Sequence, residues 1–291
     1  MINILGTMSK IRRKFSFKWF LLYAFMLALV GFTSLPLIYM VSTAFKPIDE
    51  LFLFPPKFFV RNPTIENFKS LLMAVSSSTV PFTRYVFNSI FITCINVLGT
   101  VLVCSMGSYA LVKHKLPGAK IAFKIILGAL MFPGHVTQIP NYMVVNTLGL
   151  INTYSALIIP KLAVAYNFFL MKQFIEQLPD ALIESARLDG ANEWCVFWKI
   201  VMPSIQPAVA TLVVFSFVAN WNDYFSPLVF ITSEAMKTLP LAIQTIGGSA
   251  NIARAGATAA ATFLTTAPTV IIFVFMQSRV MQTMVHSGIK A

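Results

Sequence analysis

Acidic residues are scarce in this sequence of 291 residues, which has 10 Asp and Glu against 22 Lys and Arg. Charged residues of both signs make up only 11% of the chain, whereas average soluble proteins are about one quarter charged. Hydrophobic residues make up 57%. This composition excludes an ordinary soluble domain and predicts a polytopic membrane protein whose apolar surface faces lipid as well as a core.

Catalytic motifs are also missing. The Walker A pattern (G-x-x-x-x-G-K-[ST]) does not occur, so we do not expect this chain to hydrolyse ATP. HExxH and GxSxG are absent as well, which disfavours an intramembrane hydrolase. The three cysteines, Cys94, Cys104 and Cys195, show neither a disulfide pattern nor metal-ligand spacing. The sequence therefore predicts no enzymatic activity and neither a metal nor a cofactor bound by this chain.

The formal net charge of +12 does not indicate a nucleic-acid-binding protein. The basic residues lie at the ends of apolar segments and not in one stripe with aromatic residues between them. A basic leader over residues 1–18 is typical of a segment that stays on the cytosolic side of a membrane, with lipid headgroup contact as a secondary interpretation. We expect the lipid bilayer, and no nucleic acid, as a partner.

Six apolar segments predict an all-α fold with six transmembrane helices. The predicted spans are residues 19–40, 86–112, 125–145, 154–170, 205–221 and 259–280, and Pro133-Gly134 and Pro140 interrupt the third. The resulting organisation is a leader (1–18), a transmembrane domain (19–283) and a tail (284–291). The loops assigned inside carry twice as many basic residues as the loops assigned outside, which predicts a multi-pass protein with both termini in the cytosol.

One polar stretch between two predicted spans, residues 178–203, is too highly charged to lie in hydrocarbon and is predicted to be an aqueous loop. Pro179 suits a first helical position, and Leu182 and Ala186 are expected to share a face. Gly190 is placed to end this helix in a left-handed conformation. The prediction is a short helix that a glycine turn terminates.

A second short helix is expected after that turn. Asn192 is positioned to cap it, with Glu193 in its first turn. Apolar residues then recur at i, i+3, i+4 and i+7, which gives this helix an apolar stripe: Trp194, Phe197, Trp198 and Val201.

The loop resembles the "EAA" loop of ABC-importer permeases. Glu184-Ser185-Ala186 is followed by Gly190 and then by residues 200–203, Ile-Val-Met-Pro, and Asp189 matches the form common in sugar importers. Ser185 and Met202 depart from the pattern without changing the backbone requirement at Gly190. The resemblance implies a docking site for a separate ATPase, formed by Glu184, Ser185, Ala186, Asp189, Gly190, Ile200 and Pro203. The alternative is an ordinary capped helix-turn-helix loop.

Further stretches resemble the same family. They are residues 42–47 with Pro55-Pro56, Asn67-Phe68, the turn at 147–153, and the tail 286–291, which resembles that of the maltose-type second permease subunit. The resemblance implies a type I ABC importer permease fold in a bacterial cytoplasmic membrane. It also implies a second permease subunit, two ATP-binding cassette subunits that bind ATP and Mg²⁺, and an extracytoplasmic solute-binding protein. The segment 41–84 is placed outside, as a contact for that protein or as a passive connector.

Candidate substrate-pathway residues lie in or beside the spans. His135 and Gln138 fall in the break of the third span, and a buried, hydrogen-bonded imidazole is the alternative for His135. Lys161 lies within the fourth span, where it either reaches the outer interface or serves a ligand or ion pair. The fifth span ends in a polar and aromatic cluster suited to sugars, or to an aromatic belt with a helix cap: Asn220, Trp221, Asn222, Asp223 and Tyr224.

The favoured function is import of a sugar or oligosaccharide, and Lys161 and Arg254 leave an acidic saccharide open. A polyol or a glycerol-phosphate is the alternative cargo. A stand-alone secondary transporter is the rival class, but we find neither an internal repeat nor acidic residues at membrane depth.

Overall fold

The computed structural model describes residues 17–55, 57–76, 80–114, 116–247 and 255–288, and every regular element in these ranges is helical. The leader up to residue 16, Pro56, Arg254 and the last three residues of the tail lie outside them. The α-helices are α1 (Phe17–Ala44), α2 (Ile48–Leu51), α3 (Glu66–Ser76), α4 (Phe82–Lys113), α5 (Ala119–Leu130), α6 (Gln138–Thr147), α7 (Tyr154–Ile158), α8 (Ala165–Glu176), α9 (Asp180–Leu188), α10 (Glu193–Val196), α11 (Met202–Ser204), α12 (Gln206–Trp221), α13 (Phe225–Phe230), α14 (Leu239–Gly247) and α15 (Ala255–Gly288).

Within the part of the chain that the structure describes, three continuous helices are long and apolar enough to cross a membrane: Lys18–Ala44, Phe82–Lys113 and Ala255–Ser278. They correspond to the predicted first, second and sixth spans. The first two extend beyond both predicted boundaries, and the third begins four residues before the predicted start and ends two residues before the predicted end. Two bent pairs of helices raise this number to five within the described residues.

The bent pairs include the predicted fourth and fifth spans, but only the fourth is broken within its predicted bounds, since α12 covers residues 206–221 without interruption. In the first, Tyr154–Lys161 and Ala165–Glu176 meet at 42°, so the span expected over 154–170 is broken after a 3₁₀ turn that contains Pro160. In the second, Glu193–Ser204 and α12 meet at 79° around Ile205. Pro203 therefore lies in a helical turn, and the chain changes direction two residues after it.

The predicted third span consists of two short helices, α5 and α6, separated by residues 131–137. They contain 12 and 10 residues, whereas one straight span needs about 20. The predicted interruption at Pro133-Gly134 is confirmed. It separates the predicted third span into two short helices, neither of which is long enough to cross a membrane by itself.

α4 and α12 lie at the centre of the protein. α4 packs on α8 and α12, and α12 packs in turn on α15, which also contacts α1 and α3. Small residues allow α4 to approach its neighbours closely, since a Cβ at Gly99 would lie 2.4 Å from Leu162 Cδ2 and one at Gly107 would lie 2.8 Å from Phe168 Cε2. The face of α4 in this contact carries buried polar residues: Ser89, Thr93, Asn96, Thr100 and Ser108.

The long segment after α1 is folded against the end of that helix. Buried Glu50 accepts hydrogen bonds from the backbone N–H groups of Arg61 (3.0 Å) and Asn62 (3.1 Å). The Nδ2 of Asn67 donates to the carbonyl oxygens of Ala44 (3.0 Å) and Lys46 (2.6 Å). Because buried side chains satisfy its backbone groups, the segment has a defined shape.

Candidate functional site

The predicted docking loop contains a helix that a glycine turn ends. α9 runs from Asp180 to Leu188, and Gly190 follows with φ of +84°, the left-handed conformation that the sequence predicted. The N–H of Gly190 donates to Arg187 O (3.0 Å), and the N–H of Ala191 donates to Ala186 O (3.0 Å). We had expected Pro179 to be the first helical residue. It instead occupies the N-cap position, with an extended ψ of 130°.

The buried face of α9 is formed by Ile183 and Ala186, which are 3% and 9% exposed, while Leu182 is 48% exposed. Leu182 and Ala186 lie one turn apart in α9, as expected, but Leu182 is at the edge of the face and stays at the surface. Ile183 and Ala186 belong to a core cluster with residues of α4, α8, α10 and α12. The direction in which α9 folds back onto these helices selects its buried face.

The second helix of the loop confirms the expected cap and buries half of the expected apolar stripe. Asn192 Oδ1 accepts a hydrogen bond from Cys195 N (2.8 Å), as a cap should. Of the predicted apolar stripe, Phe197 and Val201 are buried in the core, whereas Trp194 and Trp198 are 60% and 47% exposed. Residues 197–201 form a π-helical turn, and its wider spacing brings Val196 and Val201, five residues apart, into the core together.

The residues of the motif divide between surface and interior. Ala186 is buried and Ile200 is half-buried against the core, whereas the others are exposed: Glu184, Ser185, Asp189, Gly190 and Pro203. Leu188, which the motif analysis did not select, is 89% exposed. The exposed surface of α9 and its glycine turn therefore combines polar groups with one large apolar side chain; the signal in the sequence was an apolar residue immediately before Asp189-Gly190.

A polar network fixes this loop to the end of α4. Glu193 accepts hydrogen bonds from Tyr109 Oη (2.8 Å) and Arg187 Nε (2.8 Å), and its Oε2 lies 3.3 Å from His114 Nε2. The hydrogen bond to Glu193 raises the pKa of the Arg187 guanidinium. The sequence analysis identified Glu193 only as an acidic residue in the first turn of a helix. It missed the network because the partners of Glu193 are 6 to 84 positions away.

Lys113, in the last turn of α4, makes a second connection to the loop. Its Nζ donates to the carbonyl oxygen of Leu178 and to Asp180 Oδ1, both at 2.6 Å. A groove of about 440 Å³ lies between α9 and the end of α4. Glu184 lines this groove together with residues of both polar connections. The lining residues are Val112, Lys113, His114, Asp180, Ile183, Glu184, Arg187 and Glu193.

A second cavity, of about 500 Å³, brings together five of the predicted pathway residues: His135, Gln138, Lys161, Asn222 and Asp223. Lys161 Nζ forms an ion pair with Asp223 Oδ2. The other oxygen, Asp223 Oδ1, accepts hydrogen bonds from Phe225 N (3.0 Å) and Ser226 N (3.1 Å). Of the roles considered for Lys161, the structure shows the ion pair, with the carboxylate held in place by the start of α13.

Trp221 and Asn220 of the 220–224 cluster do not line this cavity and pack between helices instead. Trp221 is 5% exposed, stacks on Phe217 at 5.7 Å and donates from Nε1 to Thr265 O (2.8 Å). Asn220 Oδ1 accepts a hydrogen bond from Asn96 Nδ2 of α4 (2.8 Å). These two side chains connect α12 to its neighbouring helices.

The remaining candidates lie at the surface of the chain. His135 is exposed, so the alternative of a buried imidazole was wrong; its Nδ1 lies 3.4 Å from Gln138 Nε2. Tyr224 is 40% exposed and outside the cavity lining. Among the described residues, no group of His, Cys, Asp or Glu could hold a metal ion.

The segment that follows α13 is fixed by residues that sequence analysis did not select. Asn152, with φ of 61°, accepts hydrogen bonds at Oδ1 from Thr232 N (3.1 Å) and Ser233 N (2.8 Å). Asn88 Nδ2 donates to the carbonyl oxygens of Ala235 (2.9 Å) and Lys237 (2.8 Å). The turn at 147–153 and the start of α4 thus hold this segment in place beside the cavity.

Comparisons with known proteins agree on one family. The family model "binding-protein-dependent transport system inner membrane component" matches residues 99–284. The protein LplC of Bacillus subtilis is 33% identical over 74% of this chain and 70% of its own length. The arabinooligosaccharides transport system permease protein AraQ of Halalkalibacterium halodurans is 29% identical over 94% of this chain and 96% of its own length. The sn-glycerol-3-phosphate transport system permease protein UgpE of Yersinia enterocolitica is 32% identical over 73% and 76%.

A solved structure has the same fold. It is a bacterial ABC transporter involved in the import of the acidic polysaccharide alginate, and one of its chains superimposes with a TM-score of 0.78 over 89% of this chain and 95% of that chain, at 22% identity. The architecture is therefore the type I permease fold that the resemblance implied. Since the family model covers more than half of the sequence, this chain belongs to the binding-protein-dependent transport system inner membrane components, as a transport permease subunit and not an enzyme.

Proposed function

We propose that this chain is the transmembrane subunit of an ATP-driven, binding-protein-dependent ABC importer that translocates a sugar or oligosaccharide. The observation that carries the proposal is the preformed docking surface on α9. Its Gly190 turn has the required left-handed conformation, and Glu184 and Leu188 are exposed beside it. A 9-residue helix displayed in this way is suited to insertion into a groove of another protein.

The partner at this surface is a separate ATPase subunit, which binds ATP and Mg²⁺. This chain has no Walker A sequence with which to bind the nucleotide itself. Glu184 supplies a carboxylate for a hydrogen bond or ion pair in the groove, and Leu188 supplies apolar surface that becomes buried on docking. Closure of two ATPase subunits on ATP would then draw two docking helices together and move the attached spans.

The cavity that contains Lys161 and Asp223 is the proposed wall of the substrate pathway in this subunit. An ammonium group and a carboxylate side by side can bind the hydroxyl groups of a sugar as donor and acceptor. The similarity to AraQ, a permease protein of an arabinooligosaccharides transport system, supports this cargo class. Because Lys161 is positively charged, the proposed cargo includes acidic saccharides. The second candidate is sn-glycerol-3-phosphate, since a permease protein for that compound is 32% identical to this chain.

The proposed assembly contains this chain, a second and different permease subunit, two ATPase subunits and an extracytoplasmic solute-binding protein. Both termini and the docking loop face the cytosol, in agreement with the distribution of basic residues. One related solved structure is a bacterial alginate ABC transporter in complex with a periplasmic protein that carries an alginate pentasaccharide, which supports the binding-protein contact.

The test is purification of the tagged chain from its native membrane, followed by an ATPase assay of the eluate. We expect a co-purifying ATPase that is lost in Glu184→Ala and Gly190→Pro while the chain still inserts into the membrane. Glu66→Ala is the matched control, since Glu66 is an exposed first-turn glutamate in α3, far from the docking loop in sequence. Normal uptake in both docking variants, or a chain that elutes alone and moves solute without ATP, would contradict the proposal and favour a secondary transporter.

A further inference from the structure

Glu193 connects three segments of the chain through one carboxylate. Tyr109 reaches it from α4 and Arg187 from the last turn of α9, each with a hydrogen bond of 2.8 Å, and Glu193 itself begins α10. His114, directly after α4, lies 3.3 Å from the same group. Tyr109 is 5% exposed, so its hydroxyl is held by the packing around its ring. Glu193 therefore fixes the C-terminal end of the docking helix to α4.

Lys113 fixes the opposite end of the docking helix to the same span. Its side chain is 7% exposed and its Nζ contacts both Leu178 O and Asp180 Oδ1 at 2.6 Å. Asp180 is the first residue of α9, and Arg187 is its last but one. The two connections thus lie at the two ends of the helix, about 10 Å apart at 1.5 Å per residue.

The groove of about 440 Å³ between α9 and the end of α4 explains why these two connections matter. Ile183 is packed into the core, but the face of α9 beside the groove borders open space. A docking helix pushed by its partner could move into that space without displacing α4. Two polar connections at its ends would prevent this and make the two helices move together.

α4 also contacts the backbone beside the Lys161–Asp223 cavity. Thr100 Oγ1 donates to Lys161 O (3.1 Å), and Asn96 Nδ2 donates to Leu157 O (3.1 Å) and to Asn220 Oδ1 (2.8 Å). Thr100 and Asn96 lie about two and a half and three and a half turns from Tyr109 along one continuous helix. One rigid element therefore contacts the docking loop near its end and the broken fourth and fifth spans in its middle.

We propose that Glu193 and Lys113 are positioning residues that attach both ends of the docking helix to α4, so that α4 transmits the docking movement to the cavity containing Lys161 and Asp223. This inference rests on the proposed function. It assigns the transmission step to specific polar contacts that lie outside the recognised motif.

The test uses the complete transporter, reconstituted in proteoliposomes with its ATPase and binding protein, and measures uptake and ATP hydrolysis together. For Glu193→Ala and Lys113→Met we expect the number of sugars imported per ATP hydrolysed to fall by at least about fivefold, the lower end of typical coupling effects, while the ATPase subunit still co-purifies. Tyr109→Phe removes one hydroxyl from the network and keeps the ring, so it tests the network even if Glu193→Ala folds poorly. For this variant we expect a smaller fall in the number of sugars imported per ATP hydrolysed. Lys113→Arg should restore much of the ratio.

Glu176→Ala is the control variant. It breaks the ion pair with Lys172 (2.5 Å) on α8, near the loop, and leaves both connections to α4 intact, so we expect an unchanged ratio. An unchanged ratio in Lys113→Met and Tyr109→Phe would overturn the proposal. Loss of ATPase co-purification in these variants would also overturn it, since the residues would then form the docking surface itself. A wild-type chain without any co-purifying ATPase would instead contradict the proposed function.

Discussion

The docking loop at residues 178–203 and the cluster at 220–224 are both short polar stretches next to a span, yet they have different structures. In the docking loop most motif residues stay at the surface, and the backbone follows signals encoded within the loop, such as the Gly190 turn and the Asn192 cap. In the 220–224 cluster neighbouring residues separate: Trp221 enters the core, while Asp223 pairs with Lys161 beside a cavity.

This difference shows for which motifs the sequence alone predicts the position of each residue. A glycine turn and a helix cap depend on neighbours within a few positions. Lys161 is 62 positions from Asp223, and Thr265 is 44 positions from Trp221. Substitutions in the two regions should therefore act differently, on stability in the cluster and on docking in the loop.

The largest effect on stability is expected for Trp221→Ala. Truncating a buried Trp typically costs about 3–5 kcal/mol, and this change also leaves Thr265 O without its indole donor. We expect a lower Tm for the solubilised chain in thermal unfolding, whereas Tyr224→Ala, three residues later and 40% exposed, should change it little. Lost uptake with an unchanged Tm in Trp221→Ala would instead indicate a residue that contacts sugar.

A somewhat smaller loss is expected for Lys161→Met. Removing one partner of a fully buried ion pair costs about 3–5 kcal/mol, and these two side chains retain 24% and 15% exposure. The double variant Lys161→Met/Asp223→Asn should recover much of the lost stability because no unpaired charge remains. If the pair also binds substrate, the double variant will be stable but defective in uptake; normal uptake would remove these residues from the pathway.

Gly190→Ala should destabilise the loop by about 1–2 kcal/mol. A Cβ at this position meets no atom within 4 Å, so the cost comes from holding a non-glycine residue at φ of +84°. Hydrogen exchange of the loop amides should increase locally, and ATPase co-purification should weaken. Gly128→Ala, in the interior of α5 with no atom within 4 Å of its Cβ, is the control and should leave the loop unchanged.

Leu188→Ala should have the smallest effect on stability, within about 0.5 kcal/mol, because the side chain is 89% exposed. If Leu188 becomes buried against the ATPase, the same change should weaken their binding by at least about fivefold, measured by titrating purified ATPase onto the reconstituted chain. Leu116→Ala, another exposed leucine on the link between α4 and α5, is the comparison and should not alter binding. Equal affinities for the two variants would exclude Leu188 from the docking surface.

Sequence alone predicted the all-helical fold, three of the continuous spans, the interruption at Pro133-Gly134, the Gly190 turn and the Asn192 cap. All of these depend on residues close together in the chain: long apolar runs that exceed the thickness of a bilayer, or side chains that satisfy the end of their own helix. The short helix, glycine turn and capped second helix of residues 178–203 were predicted for the same reason, because their signals lie within 26 consecutive positions.

The tertiary structure decided which faces are buried and which charges meet. It placed Trp194 and Trp198 at the surface beside a π-helical turn, and it buried Ile183 while it left Leu182 exposed. It joined Lys161 to Asp223 and Glu193 to Tyr109. Burial and ion pairing depend on how helices far apart in the sequence pack against one another, which no local pattern specifies, whereas helix formation and helix termination need only neighbouring residues.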